Sequence, residues 1–475
     1  MPPKGARTPM VWKENRENAY CEITPAILAL KEQWEKKNYI DPKLYKEYNV
    51  KRGLRDEDGR GVLTGLTRVG EIQSYSVTEG EHIIPQDGML YYRGIDCREL
   101  VKGSEGRRFA FEETAYLLLF GELPTAAQLE AFCQQLASYR TLPTNFFRDV
   151  IMKAPPRDLM NTMQRGILTL FCYDDKPNDI GLENVLRQCL QLMSNMPVLA
   201  IYAYQAWRYS QGESLFIHVP KPELSTAENF LRMIRPDKSY TEEEAHLLDM
   251  MLMLHAEHGG GNNSTFVCRA LSSSGTDTYS AIAGAVGSLK GPLHGGANAK
   301  VMEMFHYIQE NVDPHDDGSI RDYLVRLLDG EAGDRSGKLY GLGHAVYTLS
   351  DPRAVLLKKY ARHMAQIKGY EEEFDLLQKV EELGIPLVQE RRHSDTPMCA
   401  NVDMYSGLVY TMLDIPEDVF TPLFASARIA GWCANRMEEV ITGQRIMRPA
   451  YRAVTIRGHY VPMEERTSRI KEFDL

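Results

Sequence analysis

The chain has 475 residues, 43% of them apolar and 25% charged, and its formal net charge is −10 at pH 7. This length fits two or three domains around a large core, and the composition excludes wholesale disorder. No Lys- or Arg-rich tract indicates a nucleic-acid surface, and no apolar run reaches the roughly 18 residues that span a bilayer. Residues 1–5 lack the apolar segment of a secretory signal. The sequence therefore favours a cytoplasmic protein that binds neither nucleic acid nor membrane.

The cysteines favour the same compartment. Eight of them are spread along the chain without a CxxC pair, which is the pattern of reduced thiols that mostly fill a core. They are Cys21, Cys97, Cys133, Cys172, Cys189, Cys268, Cys399 and Cys433.

The first part of the chain is polar and carries little regular structure. Residues 1–60 are rich in Lys and Glu, and we expect one exposed helix over residues 32–48 that breaks at Asp41-Pro42. Short runs of strand character follow at residues 72–77 and 89–92, separated by glycine turns. They predict a minor β element near the N-terminus.

From Glu112 onward the hydrophobic spacing is helical. Gly121 ends the first helix, and Thr125 with Gln128 predicts a capping box for the next. We expect interruptions at Pro197 and at Gly384-Ile385-Pro386. The predicted runs are 112–120, 125–136, 159–171, 182–207, 225–234, 241–255, 278–289, 299–310, 320–328, 353–367, 371–383 and 422–441, so the fold class is all-α.

The segment GPLHGGAN, residues 291–298, places His294 between a Gly-Pro turn and a Gly-Gly pair, just before a predicted helix. Glycine permits close approach of a ligand, and the positive end of a helix dipole favours a neutral imidazole. Such a group can stabilise an enolate oxygen. The alternative is a glycine-rich helix start that His294 merely caps.

The segment HAEHGGGN, residues 255–262, holds two histidines three residues apart with a glutamate between them. A metalloprotease helix needs histidines four apart, with the glutamate next to the first. We favour a helix end that aims His258 and glycine N–H groups at an anion or carbonyl. A buried structural histidine and a metal ligand remain as alternatives.

The segment GLGHAVY, residues 341–347, presents His344 beside turn amides, and Asp351-Pro352-Arg353 follows it. No strand-turn-helix unit surrounds the GxG, which disfavours a dinucleotide fold. Arg353 opens a helix, where its fork could grip a carboxylate with two hydrogen bonds. The alternative for Arg353 is a surface ion pair.

Three further charged residues lie nearer the C-terminus. Asp403 has an apolar context, in which a carboxylate needs partners or a raised pKa, and it could act as a general base or as a helix N-cap. Arg428 follows small residues on a helical run, and Arg448 lies at a turn. Each arginine could bind an anion or form a surface ion pair.

Together these residues suit the joining of a carbon acid to a ketone that carries two carboxylates. Arginines would hold the dicarboxylate, one histidine would polarise the ketone, and a second would stabilise the enolate formed when the aspartate removes a proton. This chemistry requires neither a metal nor a redox cofactor.

The motifs identify the chain as similar to the citrate synthase family over about residues 61–452. They are GMLYYRGID, YLLLFGELPT, HAEHGGGN, GPLHGGAN, GLGHAVYTLSDPR, PMCANVDMYSG, FASARIAGW and IMRPAYR, in the family's order. The resemblance implies an all-α homodimer. It implies a polar N-terminal segment at 1–60, a large domain at 61–295 and 415–475, and a small lid domain at 296–414, with the active site in the cleft between the domains.

The resemblance also implies a role for each matching residue. Acetyl-CoA would condense with oxaloacetate to citrate and CoA through citryl-CoA, the entry step of the tricarboxylic acid cycle, with acetyl-CoA as cosubstrate and no permanently bound cofactor or metal. Asp403, His294 and His344 would be catalytic. The residues implied for oxaloacetate are His258, Arg353, Arg428 and, from the partner subunit, Arg448; those implied for CoA are Leu339, Gly341, Gly343 and Asn401.

Several hypotheses about the function stay open. A 2-methylcitrate synthase would perform the same chemistry on propionyl-CoA, and the extra methylene is worth only about 1–3 kcal/mol in a pocket. A catalytically inactive binding module and a metallohydrolase are readings of other classes. Thr348 stands where animal family members often carry a basic residue that meets CoA phosphates, so phosphate binding here is expected to differ.

Overall fold

The computed structural model describes residues 21–56, 60–77, 83–393, 396–443, 445–455 and 457–466. It is mostly helical, with 59% helix and few strands, which confirms the all-α class with minor β structure near the N-terminus. Across these ranges the search for membrane-spanning helices found none of sufficient length and hydropathy. All eight cysteines lie in the described ranges, and none forms a disulfide.

The strands form one small antiparallel sheet. β1 (Gly70–Val77) pairs with β2 (Ile83–Tyr92), which pairs with the two-residue β3 (Ile95–Asp96). The register places Gly70 opposite Tyr92, with an irregularity between Gln73 and Tyr75. The two predicted strand runs therefore lie inside longer paired strands.

The helices fill the remainder of the described chain. They are α1 (Pro25–Asn38), α2 (Lys43–Glu47), α3 (Cys97–Ser104), α4 (Ala110–Phe120), α5 (Ala126–Ser138), α6 (Leu159–Leu170), α7 (Leu182–Ser210), α8 (Thr226–Ile234), α9 (Glu242–His255), α10 (Asn263–Ser273), α11 (Thr278–Leu289), α12 (Ala297–Asn311), α13 (Asp317–Leu328), α14 (Pro352–Lys368), α15 (Glu371–Arg392), α16 (Asp403–Met412) and α17 (Phe420–Thr442).

Local capping signals place several helix ends where they were predicted. Thr125 and Gln128 form the capping box of α5, and Gly121 ends α4 in the left-handed region at φ 88°. α1 and α2 are separated at Asp41-Pro42, as predicted, although α1 already begins at Pro25. These signals are reliable because cap hydrogen bonds join residues only a few positions apart.

Both predicted interruptions are wrong. α7 runs through Pro197, and α15 runs through Gly384 and Pro386 to Arg392. A proline costs one helical hydrogen bond and strain, but tertiary burial compensates for that cost. In α15, Leu387 and Val388 are buried beyond Pro386. A side chain at Gly384 would press against Leu342, so this glycine serves close packing and does not end the helix.

The core is organised around α17, whose residues from Phe420 to Arg436 are almost all buried. α17 packs against α7, α10, α11 and α4. α9, equally apolar and buried, ends at His255 next to α17. The functional segments therefore begin where buried helices end, so their backbone is held by the core.

The chain divides into two compact units. One covers Gly65–Ile446, and the other takes the described residues of Pro9–Thr64 and Met447–Leu475. Within the second unit, Arg452 lies over the ring of Tyr48 at 5.2 Å. The described residues of 447–466 therefore belong to the same compact unit as the described residues of the N-terminal segment. The division of 65–446 into a large domain and a lid stays a prediction.

Candidate active site

The end of α9 is held by Tyr92 of β2. The Tyr92 hydroxyl lies within hydrogen-bonding distance of the carbonyl oxygens of Met253, Leu254 and Glu257, at 3.0, 3.3 and 3.1 Å. Tyr92 is only 1% exposed, so this anchor is inside the core. It fixes the turn that carries His258, which is buried and has an Nε2 atom without a hydrogen-bond partner among the described residues.

Arg428 on α17 is a buried cation of the candidate site. Its guanidinium is fully buried, and its Nε donates to the carbonyl of His255 at 2.6 Å. Neither Nη1 nor Nη2 has a hydrogen-bond partner in the described part of the chain. Burial lowers the pKa of Arg428 to about 10, so it is still charged at neutral pH. A buried charged donor pair without partners indicates a place for an anionic ligand.

His294 lies in a tight turn before α12. Its backbone N–H donates to Gly291 at 2.9 Å, and the N–H of Gly295 donates to Leu289 at 2.9 Å. A side chain at Gly295 would collide with Leu289, so this position requires glycine. The alternative that His294 merely caps the helix receives no support, since α12 begins at Ala297 and its N-cap is Gly296.

A serine holds the His294 ring. Nε2 of His294 lies 3.1 Å from Oγ of Ser264, which also accepts a hydrogen bond from Nε1 of Trp432 at 3.1 Å. Oδ1 of Asn262 lies 2.9 Å from the same hydroxyl. Because the hydroxyl has one proton, it can donate either to Asn262 or to His294. This choice decides which ring nitrogen of a neutral His294 carries the proton.

His344 has a defined tautomer when neutral. Its Nδ1 accepts backbone N–H groups from Val346 and Tyr347, both at 3.0 Å. The proton of a neutral ring must then lie on Nε2, which becomes the donor. The His344 ring stacks on the Tyr347 ring with 4.7 Å between centroids. The centroid of the His258 ring lies 5.2 Å from that of the His344 ring. The His258 and His344 side chains are therefore neighbours in the candidate site.

Arg353 is buried on α14, and an internal carboxylate already engages its fork. Nε and Nη2 of Arg353 donate to the two oxygens of Asp351 at 3.0 and 2.7 Å. Burial acts to lower the pKa of Arg353, but the Asp351 charge raises it above its usual value. Asp351 also accepts the backbone N–H of Val402 at 3.2 Å. Arg353 thus makes the predicted pair of hydrogen bonds to a carboxylate, but that carboxylate is Asp351. Nη1 of Arg353 is the nitrogen that does not take part in this pair.

Asp403 is the first residue of α16 and is not its N-cap, which is Val402. Its own backbone N–H donates to Oδ1 of Asn401 at 2.9 Å. A helix N-terminus normally lowers a carboxyl pKa. Here burial dominates and raises the pKa of Asp403 to about 6, with Arg353 opposing the rise. Asp403 is therefore suited to accept a proton near neutral pH.

The charge of Arg428 connects these residues. Burial first, and the charge of Arg428 second, lower the pKa of His294 to about 4. Burial, Arg353 and Arg428 also hold the pKa of His258 well below its usual value. The same guanidinium opposes the raised pKa of Asp403. These residues therefore group two neutral imidazoles, a carboxyl of raised pKa and buried cationic donors.

His255 lies in the core beside α17. It is 1% exposed, and its ring lies 4.4 Å from that of Phe424. Within the described ranges, no three His, Cys, Asp or Glu side chains are grouped as a metal ion would require. The HAEH segment thus separates into a buried histidine and His258, which faces His344.

The predicted CoA loop is tied to the segment before α16. Gly341 and Gly343 have φ of 81° and 87°, in the region that favours glycine. The N–H of Gly343 donates to Cys399 at 2.8 Å, and Nδ2 of Asn401 donates to the carbonyl of Gly343 at 2.8 Å. Leu339 is buried. Asn401 thus holds this loop against Asp403.

Arg448 lies in the second compact unit, where it is exposed. Its predicted role in the site of a partner subunit stays a prediction. Sequence reasoning did not identify the residues that hold the site side chains. Trp432 lies in the FASARIAGW motif, Tyr347 in GLGHAVY and Asp351 beside Arg353. The contacts of Ser264 with His294 and Trp432 join segments far apart in the chain, whereas those of Tyr347 with His344 and of Asp351 with Arg353 are local. These residues are Ser264, Tyr347, Asp351 and Trp432.

The fold and the site define an all-α enzyme whose candidate site is formed by histidines, arginines and an aspartate. Residues 60–450 match the family described as "Citrate synthase, C-terminal domain". The chain is 36% identical to the citrate synthase of Synechocystis sp. over 394 residues, which cover 81% of this chain and 90% of that protein. It is 33% identical to 2-methylcitrate synthase 1 of Corynebacterium glutamicum over 424 residues, 88% of this chain and 99% of that protein.

Solved structures give the same relationship. The citrate synthase of Thermoplasma acidophilum, in a ternary complex with carboxymethyl coenzyme A and oxaloacetate, superposes with a TM-score of 0.71 at 25% identity. The superposition covers 87% of this chain and 99% of that one. The chain belongs to the citrate synthase family, and members of this family are acyltransferases.

Proposed function

We propose that the protein condenses acetyl-CoA with oxaloacetate and releases citrate and CoA, the entry step of the tricarboxylic acid cycle. One observation supports this most strongly: the buried Arg428 guanidinium has two nitrogens without a described partner, in the same cleft as an aspartate of raised pKa. A dicarboxylate would supply the missing acceptors, and the aspartate would supply the base.

Oxaloacetate would bind through His258, Arg353 and Arg428. Nη1 and Nη2 of Arg428 would take one carboxylate two-pronged, since both are without described partners. Arg353 would contribute the remaining nitrogen of a fork that Asp351 holds rigid. The Nε2–H of His344 would donate to the ketone oxygen and polarise the carbonyl for attack.

Asp403 would then remove a proton from the thioester methyl group. The negative charge moves to the thioester oxygen, where His294 would donate a hydrogen bond from Nδ1. That tautomer requires the Ser264 hydroxyl to donate to Nε2 of His294 while it accepts from Trp432. The enolate carbon bonds to the ketone carbon, and the resulting alkoxide takes the Nε2 proton of His344. His344 regains a proton from solvent, and Asp403 releases to solvent the proton it accepted. Water then cleaves citryl-CoA to citrate and CoA.

The remaining assignments complete the proposal. CoA would lie along the loop that contains Leu339, Gly341 and Gly343, with Asn401 at the pantetheine end. The protein would act as a cytoplasmic homodimer in which Arg448 of one subunit reaches the oxaloacetate of the other. Closure of a lid at 296–414 would exclude water until the thioester is bound. No permanently bound cofactor or metal enters these steps.

The proposal is tested by the release of free CoA, followed with a thiol reagent. Acetyl-CoA and propionyl-CoA are compared, each with and without oxaloacetate. Turnover that requires oxaloacetate and has the higher kcat/KM with acetyl-CoA supports the proposal. A higher kcat/KM with propionyl-CoA would make the protein a 2-methylcitrate synthase, a candidate favoured by the relative of that name that matches over 99% of its length. Turnover with neither would favour the binding module.

A further inference from the structure

Glu257, between His255 and His258, is a buried carboxylate that the proposed mechanism does not use. It is 0% exposed, and its side chain lies between two glycines. A Cβ at Gly70 of β1 would come 2.9 Å from Cγ of Glu257, and one at Gly431 of α17 would overlap Oε2. Both approaches are possible only because those residues are glycine. The position of this carboxylate is therefore closely defined by the fold.

A single side-chain hydrogen bond holds the Glu257 carboxylate. Nδ2 of Asn435 donates to Oε2 at 2.9 Å, whereas Oε1 has no partner among the described side chains. Oδ1 of Asn435 accepts from Nε of Arg269 at 2.8 Å, so the amide cannot turn away without losing that bond as well. Glu257 is thus tethered towards Asn435 by a network that continues through Arg269 to Glu438 and Glu439.

Arg428, Gly431 and Asn435 follow one another at spacings of three and four residues, on one face of α17. The Glu257 carboxylate lies over this face, and its charge is the leading one that supports the protonated form of Arg428. Burial raises the pKa of Glu257, and the charge of Arg428 is the leading influence that opposes this rise. The two groups nevertheless share no described hydrogen bond, because Nη1, Nη2 and Oε1 are all without partners.

The two buried arginines of the cleft differ in how their charge is balanced. Arg353 has Asp351 on two of its nitrogens. Arg428 has a carboxylate nearby that is held out of hydrogen-bonding contact. This arrangement keeps Arg428 charged inside an apolar environment and leaves its donors available for a ligand.

We propose that Glu257 is a positioning residue that acts as an unbonded counter-charge of Arg428. It stabilises the charged Arg428 and opposes the binding of a dicarboxylate to the same guanidinium. The inference rests on the proposed function, because it takes oxaloacetate as the dicarboxylate. It predicts that Glu257 lowers the affinity for oxaloacetate, which a residue with a merely structural role would not do.

The test is Glu257→Gln, which removes the charge and keeps the shape and an acceptor for Asn435. Oxaloacetate is titrated by calorimetry without acyl-CoA, and thermal unfolding is followed without ligand. We expect the dissociation constant to fall by roughly threefold or more and the ligand-free Tm to decrease. Glu439→Gln is the matched control, since it removes one charge from the outer end of the same network. We expect its dissociation constant to equal that of the unmodified protein.

Unchanged or weaker binding by folded Glu257→Gln overturns the inference and leaves the proposed function intact. Failure of the unmodified protein to bind oxaloacetate removes the proposed function, and the inference with it. If Glu257→Gln does not fold, Glu257→Met removes the same charge from a side chain of similar length. It should also bind oxaloacetate more tightly, and equal or weaker binding contradicts the inference.

Discussion

Nε2 of His294 lies 3.1 Å from Oγ of Ser264, and the two residues come from different helix starts, thirty positions apart in the chain. The serine hydroxyl also receives Nε1–H of Trp432, which leaves its own proton available for one acceptor. The identity of that acceptor determines whether His294 can donate from Nδ1 to a thioester oxygen. Ser264 therefore controls the proposed enolate-stabilising group without contacting the substrate.

The first prediction concerns this serine. Ser264→Ala should lower kcat about 10- to 100-fold, since His294 loses the partner that sets its tautomer. The dissociation constant for oxaloacetate should stay unchanged, because Arg428 and His258 are untouched. Ser274→Ala, an exposed serine just beyond the same helix, is the control and should behave as the unmodified protein. An unchanged kcat for Ser264→Ala would remove Ser264 from the mechanism.

The second prediction is the pH dependence of turnover. Asp403 must be deprotonated to act as a base, and burial raises its pKa to about 6. The kcat/KM for acetyl-CoA should therefore fall about tenfold per pH unit below 6 and level off above it. His294, with its pKa lowered to about 4, stays neutral over this range. Asp403→Asn should lose about 10²- to 10⁴-fold in kcat and still bind oxaloacetate. A profile that is flat down to pH 5 would contradict the role of Asp403.

The third prediction is that Asp403 costs stability. Its pKa of about 6 in the folded protein lies above the ordinary value of about 3.9 in the unfolded chain. Between pH 4 and 6 the folded protein binds more protons, so its stability falls as the pH rises and the cost is complete above 6. Asp403→Asn should unfold with a free energy about 1–2 kcal/mol higher at pH 8, after allowance for partial exposure. The difference should shrink as the pH falls from 6 to 4, as measured by urea denaturation. Asp414→Asn, at an exposed carboxyl, should show no such trend.

The fourth prediction separates two buried arginines of α17. Arg428→Met should weaken oxaloacetate binding about 100-fold or more, because two charge-assisted hydrogen bonds are lost. Its unfolding free energy should stay equal or rise, since a buried charge with two nitrogens lacking described partners is removed. Arg436→Met is the control: Arg436 is equally buried, likewise has two nitrogens (Nε and Nη1) without described partners, and donates to the Thr276 carbonyl at 2.6 Å. Binding should be unaffected there, and equal losses at both positions would show that the effect is not specific to the site.

The fifth prediction addresses the proposed shared site. Arg448→Leu chains and Arg428→Met chains should each be nearly inactive. Mixed and reassembled in equal amounts, they should recover about a quarter of the normal activity, because half of the dimers are hybrids with one intact site. Affinity tags on the two chains confirm that hybrids form. Hybrids without activity would contradict a contribution of Arg448 across the interface.

The sequence was a good guide to local structure. The Thr125–Gln128 box begins α5, and Gly121 ends α4, as expected from hydrogen bonds within one helical turn. It was a poor guide at Pro197 and Pro386, where buried helices continue because packing outweighs the cost of proline. No local pattern carries that information.

The candidate site, too, was predictable from the sequence only in part. Motif order was enough to indicate His294, His344, Asp403 and Arg428, and therefore the family, which the comparisons confirm. The state of these side chains was not readable from the sequence. Burial is the leading cause of the lowered pKa of His294, followed by the charge of Arg428, which lies far away in the chain.

The sequence by itself thus determined the fold class, the capped helix ends and the chemical groups available for catalysis, because these depend on residue type and short spacing. Only the tertiary structure decided that Ser264 contacts His294, that two nitrogens of Arg428 lack a described partner, and that Asn435 holds the Glu257 carboxylate. Solvation and charge depend on neighbours that are far apart in the chain, and these neighbours meet only when the chain folds.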